Sequence, residues 1–420
     1  MNTTLFQKNT DFSFDRYGDG LVLNLADYGI ELIEQDGQYL VPMQTLVDFT
    51  MGVSSGLGAF FNGQRIFISM GNDLKESGYY DAPTGARSAA LCKYGYGELC
   101  MMLDHLYGLK ETHDIDRFDN LFDQIGFDES LMDTNPANPD LAIYHLINYY
   151  LDDIHSEFTA WSYLTGDSDF RLPVGPSERA WDEQVWKYVE AREAAFPEGV
   201  PFYQEVGNTA YITFDSFDLA ANDSDDYYQD DMPVDTFWMI IKAHERIARE
   251  DSPIENVVID LSNNTGGAMV AAVYVISWFL GEGSMSIKDT LTGAMSTTTY
   301  RCDVNLDREY DARDTVQDKN LFCLISPVSF SCGNLVPSAF KASNRVTLLG
   351  RTSGGGSCSV MRASSAWGTA FSLSGPYRMS FVKNGSFYDI DRGAEPDFTL
   401  TSPGKYYDRE ALTAYINALY

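Results

Sequence analysis

Residues 256–269, NVVIDLSNNTGGAM, decide the fold of this chain. The run NVVIDL is almost continuously apolar, as expected of a strand that is buried on both faces of a parallel sheet. Gly266 and Gly267 then allow a tight turn, and the apolar run GAMVAAVYVISWFLG that follows is a predicted helix. A buried strand, a glycine turn and a helix in this order indicate one unit of a layered α/β core.

The same alternation continues on both sides of this stretch. TAYITFDSF before it, and NLFCLIS and RVTLLG after it, are predicted strands. Helices are predicted near residues 334–342 and 409–419, and Asn384-Gly385 is a predicted hairpin turn. Residues 208–420 are therefore predicted to form the α/β core.

Three regions precede this core. Residues 1–97 are predicted to be β-rich, because Asp36-Gly37 and Asn62-Gly63 lie between strand-like residues and are typical hairpin turns. Residues 98–165 form a predicted helical segment, whose apolar positions 143, 146, 147, 150, 151 and 154 share one helix face. His155 lies at or just past the end of that helix. Residues 166–207, rich in Pro, Gly and charge, form a predicted connector with one helix near 179–195.

The composition excludes several classes of function. The net charge is −32, and Lys and Arg are scattered, so a nucleic-acid surface is not expected. No window of 18 apolar residues predicts a membrane span, and residues 1–20 lack the pattern of a signal peptide. None of the six cysteines forms a CxxC or Cys/His cluster, so neither a zinc site nor another cofactor is expected. A Cys92–Cys100 disulfide remains open at this point.

Two turns of the predicted core are suited to nucleophilic chemistry. In VSFSCGN, residues 328–334, a serine sits between a buried strand and a helix, where its hydroxyl would be exposed near the positive end of the helix dipole. Ser329 or Ser331 could instead only cap the helix. In NNTGGAM, residues 263–269, backbone N–H groups could bind an oxyanion, or the glycines could only make a tight turn. The signatures GxGxxG and GxxxxGK[ST] are absent, which argues against nucleotide binding.

Two further features complete the set of candidates. The run RTSGGGSCS, residues 351–359, is a glycine loop that could line a cleft or serve as a linker. His155 is surrounded by Asp152, Asp153 and Glu157, and carboxylates can hold an imidazole in the tautomer that a general base needs. Its alternative role is that of a C-terminal helix cap.

In combination and in order, these segments resemble the tail-specific proteases of peptidase family S41. The family pattern DxRxNxGG resembles DLSNNTGG at residues 260–267, and the SAxE-like serine turn resembles SFSCGN at residues 329–334. GxxTxGG resembles GRTSGGG at 350–356, GxxPD resembles GAEPD at 393–397, and DxHS resembles DIHS at 153–156. The resemblance covers roughly residues 141–400. It implies layered βα units of the ClpP/crotonase type, and it leaves the first hundred residues without an assigned role.

The resemblance also implies site residues. The family's bacterial branch uses a lysine within the glycine loop, but the matching residue is Gly355, so the tricorn-like branch with a histidine base is the better match. Ser331 would be the nucleophile of a serine endopeptidase and His155 its general base. Gly267 and Cys332 would supply the oxyanion N–H groups, with Gly266 as the alternative. Asp391, or Asp389 as second choice, would orient the histidine, and Ser156 could also hold it.

Departures from the family pattern keep other hypotheses open. Ser262 replaces the family's arginine, and Cys332 replaces the usual alanine, so that Cys332 could itself be the nucleophile. A catalytically inactive relative that binds peptides or other ligands is the main alternative, and a hydrolase of esters or lactones is another. The segment between His155 and the core is too short for a PDZ domain. We expect a peptide or unfolded-protein substrate and an exported, extracellular or cell-envelope location; the oligomeric state stays open.

Overall fold

The computed structural model describes residues 6–53, 56–71, 73–168, 173–220 and 235–419. Its strands, in chain order, are β1 Gln7–Arg16, β2 Ile33–Gln35, β3 Gln38–Leu40, β4 Gly58–Phe61, β5 Ile66–Ser69, β6 Glu157–Ala160, β7 Tyr203–Val206, β8 Thr209–Thr213, β9 Asn256–Asp260, β10 Gly283–Asp289, β11 Met295–Cys302, β12 Asn320–Ile325, β13 Val346–Gly350, β14 Cys358–Ser364, β15 Ala370–Ser380, β16 Val382–Lys383, β17 Ser386–Phe387 and β18 Phe398–Thr399.

Helices cover both the segment before the core and the core itself. In chain order they are α1 Met43–Val47, α2 Ala89–Leu106, α3 Phe118–Ile125, α4 Asp128–Leu131, α5 Ala137–His145, α6 Pro176–Ala195, α7 Thr236–Ile247, α8 Met269–Leu280, α9 Cys332–Ser343, α10 Gly404–Tyr407 and α11 Arg409–Asn417. One-turn π-helices extend α1 at Asp48–Gly52 and α5 at Leu146–Leu151.

The central sheet has the strand order β18-β13-β12-β9-β8-β7. All its pairs are parallel except β7 with β8. Val258 on β9 and Leu324 on β12 are fully buried, which explains the unbroken apolar runs. The α/β core predicted from residues 256–269 is confirmed. Because the carboxyl ends of parallel strands meet at one sheet edge, the loops after β9, β12 and β13 lie together there.

A second sheet connects the helical segment to this core. Its order is β1-β11-β10-β15-β14, and β6 pairs with residues 370–372 at the start of β15. Strand β6 begins two residues after His155, so its pairing with β15 fixes where the histidine lies. Strand β1, from the N-terminal region, pairs with β11 of the core. No sequence pattern indicates this pairing, because β1 and β11 are far apart along the chain.

The helical segment packs on the second sheet through shared apolar side chains. Leu103 of α2 and Ile143 of α5 belong to the same buried cluster as Phe371 and Leu373 of β15. Helix α8 contacts β10 and β11 of the second sheet and helix α9 of the core. Apolar burial is the main stabilising contribution to such packing, which therefore holds the histidine segment and the serine segment in one structure.

Local sequence signals were correct in some places and wrong in others. Asp36-Gly37 and Asn384-Gly385 form the predicted two-residue turns, between β2 and β3 and between β16 and β17. Asn62-Gly63 instead belongs to a four-residue turn between β4 and β5. All six cysteines are reduced and buried. Cys92 and Cys100 are eight positions apart on helix α2, a rise of about 12 Å, which exceeds the reach of a disulfide. Within the described residues, no helix is both long and apolar enough to cross a membrane.

Candidate active site

Ser331 has a strained backbone at the turn from β12 into α9. Its φ is 55° and its ψ is −122°, values that a residue with a Cβ rarely adopts. The Ser331 N–H donates to the Gly355 carbonyl at 2.9 Å, and the Asn334 and Leu335 N–H groups donate to the Ser331 carbonyl, so the backbone is held on both sides. A strained strand-to-helix turn of this kind presents a serine hydroxyl at the edge of a sheet.

The two serines of this turn have different surroundings. The Ser329 hydroxyl is buried, donates to the Leu261 carbonyl at 2.7 Å and accepts from the Ser326 N–H at 2.9 Å, so it ties two loops together. Ser331 is partly exposed, and its side chain makes no capping hydrogen bond to α9. Between these two, only Ser331 has a hydroxyl free to react.

The glycine pair after β9 lies directly against Ser331. A Cβ on Gly266 would stand 2.7 Å from the Ser331 Cβ and 3.2 Å from its Oγ, so the close approach requires glycine. The Gly266 N–H is occupied, because it donates to Asn264 Oδ1 at 3.0 Å. Among the described residues, the Gly267 and Cys332 N–H groups have no acceptor. These two donors are therefore available for a charged oxygen.

His155 lies on a tight turn that follows the π-helix Leu146–Leu151. The Asp153 carboxylate accepts the N–H groups of His155 and Ser156, at 3.2 and 3.0 Å, and thereby fixes the turn. The imidazole packs on the ring of Phe330, with 4.6 Å between ring centroids. Phe330 directly precedes Ser331, so the structure brings the histidine segment next to the serine turn, although the two side chains make no hydrogen bond with each other.

The electrostatic surroundings of His155 have opposing effects. Burial lowers the pKa of His155, while the negative charges of Asp153 and Asp391 raise it by a smaller amount. The net effect is a pKa below the ordinary value of a histidine. The imidazole is thus kept neutral at neutral pH, as a general base requires.

Of the two candidate acids, Asp391 is the one that lines the cleft next to His155. Its carboxylate accepts the Ser357 N–H at 2.7 Å and a hydrogen bond from Arg378. Asp389 is largely exposed, pairs with Arg378 at 3.2 Å and accepts the Asp391 N–H at 2.9 Å. Neither acid is hydrogen-bonded to the imidazole.

The cleft has a volume of about 210 Å³ and is bordered by the histidine turn and the glycine loop. Its walls include Leu109, Ile154, Phe330 and Gly356 together with His155 and Asp391. Ser331 is not among the lining residues; it lies next to the wall residue Phe330. The Ser156 hydroxyl accepts the Ser374 N–H at 3.0 Å and makes no hydrogen bond to the imidazole.

Cys332 is not a plausible nucleophile in this structure. Its side chain is fully buried at the start of α9, and burial raises the pKa of its thiol to about 12. The reactive form of a cysteine is the thiolate, which such a pKa excludes at neutral pH.

Sequence reasoning assigned no role to several residues that support the site. Asn334 donates to the Ile390 carbonyl at 2.8 Å and accepts from the Ser353 hydroxyl at 2.7 Å, and so ties α9 to two loops. Asp260 forms a buried ion pair of 2.6 Å with Arg409, from a helix near the end of the chain. Arg378 on β15 lies outside every motif. The only available signal was charge in a strand, which is too common to indicate a role.

The comparisons with known proteins give a match at the level of the family. Residues 208–399 match the family model of peptidase family S41. No protein of curated function matches the chain in sequence.

Several solved structures resemble the chain, all distantly. A candidate peptidase from Parabacteroides merdae is 16% identical, with a TM-score of 0.47, over 76% of this chain and 93% of that one. A lipoprotein from Streptococcus agalactiae is 13% identical, with a TM-score of 0.42, over 78% and 97%. The photosystem II D1 C-terminal processing protease is 18% identical, with a TM-score of 0.34, over 46% of this chain and only 42% of its own length.

Proposed function

We propose that the protein is a serine peptidase of the histidine-using kind, because residues 208–399 match the family model of peptidase family S41. Ser331 is the nucleophile and His155 the general base in this proposal. The observation that carries it is the strained Ser331 backbone beside two N–H groups, of Gly267 and Cys332, that have no acceptor among the described residues. A helix-capping serine would not need this strain.

The proposed reaction is acyl transfer in two steps. The Ser331 hydroxyl attacks a peptide carbonyl while His155 takes its proton, and the oxyanion accepts hydrogen bonds from the Gly267 and Cys332 N–H groups. His155 then gives the proton to the leaving amine. In the second step water attacks the acyl-enzyme, His155 takes a proton from the water, and that proton returns to the Ser331 oxygen as the product acid leaves. The contact between imidazole and hydroxyl forms in the substrate complex, since such hydrogen bonds are often loose without substrate.

Asp391 is the proposed orienting acid, because it lines the cleft and its charge acts on His155. The proposed substrates are peptides or unfolded proteins, whose extended chains fit an open cleft. We also propose that the protein works outside the cytoplasm, which cell fractionation with an antibody against the chain would test.

A fluorophosphonate probe, which labels activated serines, tests the proposal directly. We expect the wild-type protein and Cys332→Ala to be labelled and Ser331→Ala to stay unlabelled. His155→Gln should reduce the labelling rate by about 100-fold or more, as expected when a general base is removed. A folded wild-type protein that is not labelled, yet retains peptides in the cleft, would instead favour the ligand-binding alternative.

A substrate panel then separates a peptidase from a hydrolase of other acyl bonds. Labelling together with cleavage of unfolded protein substrates would support the peptidase. Labelling with turnover of esters or lactones alone would contradict it.

A further inference from the structure

The Arg378 side chain joins three elements that border the cleft. From β15, its Nε donates to the Ser357 hydroxyl at 2.8 Å, and one terminal nitrogen donates to the carboxylates of Asp391 and Asp389. Ser357 closes the glycine loop, and the two aspartates lie on the loop before GAEPD. The Arg378 side chain is mostly buried, with 19% of it exposed, so its bonds to Ser357 and Asp391 are partly shielded from solvent, whereas Asp389 is exposed.

The two oxygens of Asp391 are thereby held separately. Oδ1 accepts the Ser357 N–H, and Oδ2 accepts the Arg378 guanidinium. The Asp391 backbone also packs closely on the glycine loop, since a Cβ on Gly355 would stand only 2.1 Å from the Asp391 carbonyl oxygen. Asp391 is therefore a fixed carboxylate beside the cleft, with a cation bound to one of its two oxygens.

We propose that Arg378 is a positioning residue of this site: it holds Asp391 at the cleft wall and offsets part of the charge that Asp391 presents to His155. The inference rests on the proposed function, in which His155 is the base. An arginine suits this role better than a lysine, because its planar fork can donate in several directions at once.

Apart from Asp391, none of the titratable groups that line the cleft around His155 has a guanidinium partner, so the positioning role falls to Arg378. Among the residues that line the cleft, the titratable ones besides His155 are Asp152, Asp153, Cys358 and Asp391. Asp152 is occupied by two N–H groups at the start of α6, and burial keeps the Cys358 thiol uncharged by raising its pKa to about 12. Asp153 receives hydrogen bonds from Tyr107 and Ser374 and from backbone. Of these carboxylates, Asp391 is the one with a guanidinium partner.

The test uses the titration of His155 by NMR, on protein with labelled histidine and with His155→Gln to assign its signal. Arg378→Met should move the titration midpoint of His155 upward by about 0.5–1 pH unit, because Asp391 keeps the Ser357 N–H but loses its cation. Arg378→Lys should leave the midpoint within a few tenths of a unit of wild type, since the charge remains. In an Asp391→Asn background, Arg378→Met should shift the midpoint clearly less, because no carboxylate is left for Arg378 to hold beside His155.

The labelling rate supplies a second readout. Arg378→Lys should slow fluorophosphonate labelling by roughly 10-fold although the charge is kept, because a lysine cannot hold both loops. Arg313→Met is the matched control, since Arg313 makes a forked pair with Asp311 on the exposed surface. It should change neither readout.

Two results would overturn the inference. One is an unchanged His155 midpoint in Arg378→Met protein that unfolds at the wild-type temperature; the other is an equal midpoint shift in the Asp391→Asn background. Failure of the proposed function is distinguishable, because it would appear as a wild-type protein without probe labelling, while the NMR titration still reports on Arg378 and Asp391.

Discussion

Replacing Gly266 with alanine tests the geometry at the nucleophile most directly. Gly266 has a φ of +119°, which L residues rarely adopt, and a Cβ there would stand 2.7 Å from the Ser331 Cβ. That separation is shorter than any ordinary contact between two carbons, so Ser331 or the glycine turn must move. The Gly266→Ala change adds a single methyl group and removes no hydrogen bond.

The expected magnitudes follow from two separate effects. Strain from the unfavourable φ costs about 1–3 kcal/mol of stability, and each kcal/mol lowers the unfolding temperature by roughly 2–4 °C in a domain of this size. Displacement of Ser331 by about 1 Å costs on the order of 100-fold in rate. Gly266→Ala should therefore remain folded at room temperature and lose nearly all of its labelling.

The assay compares the rate of fluorophosphonate labelling with the thermal unfolding midpoint for the same samples. Gly199→Ala is the matched control, because Gly199 has a φ of +94° but a Cβ added there would meet no atom within 4 Å. It should lower the unfolding midpoint by a similar amount and leave labelling at the wild-type rate.

Labelling of Gly266→Ala at the wild-type rate would refute the reasoning, because it would mean that the contact with Ser331 does not constrain the reactive hydroxyl. Equal losses of labelling in both variants would also count against it, since strain alone would then explain the effect.

Three further predictions concern charge. Asp48 and Glu98 form a buried carboxyl pair, and burial raises the pKa of Asp48 to about 7. The folded protein therefore holds a proton that the unfolded chain releases near pH 4, so stability should fall as the pH rises from about 4 to 7. Asp48→Asn should flatten this fall in denaturation curves. Arg409→Met leaves Asp260 buried without its cation, and chemical denaturation should show a loss of about 3–5 kcal/mol; a loss below 1 kcal/mol would contradict this. Because burial lowers the pKa of His155, the labelling rate should stay high down to pH 6.5, and a half-maximum above pH 7 would contradict the role of His155.

The α/β core could be predicted from local sequence alone. Continuous apolar runs such as residues 256–261 can be satisfied only by burial on both faces, and a glycine turn followed by an apolar helix leaves little choice of local structure. The serine turn was recognised on similar grounds, because its position between a buried strand and a helix is local information, but it was the resemblance to family S41 that selected Ser331 over Ser329. The hairpin turns at Asp36-Gly37 and Asn384-Gly385 were predictable for the same reason.

The details of the site depend instead on parts of the chain that are distant in sequence. The Gly266 N–H is occupied by Asn264, and the loop that carries Gly266 approaches the Ser331 turn closely. These two contacts decide which N–H groups near Ser331 are free. Strand β6 places His155 by pairing with β15, more than 200 residues later. Arg378 acquires its partners only when β15 meets two loops. Local propensity carries no information about such contacts, because they arise from packing between segments whose separation in sequence leaves no pattern.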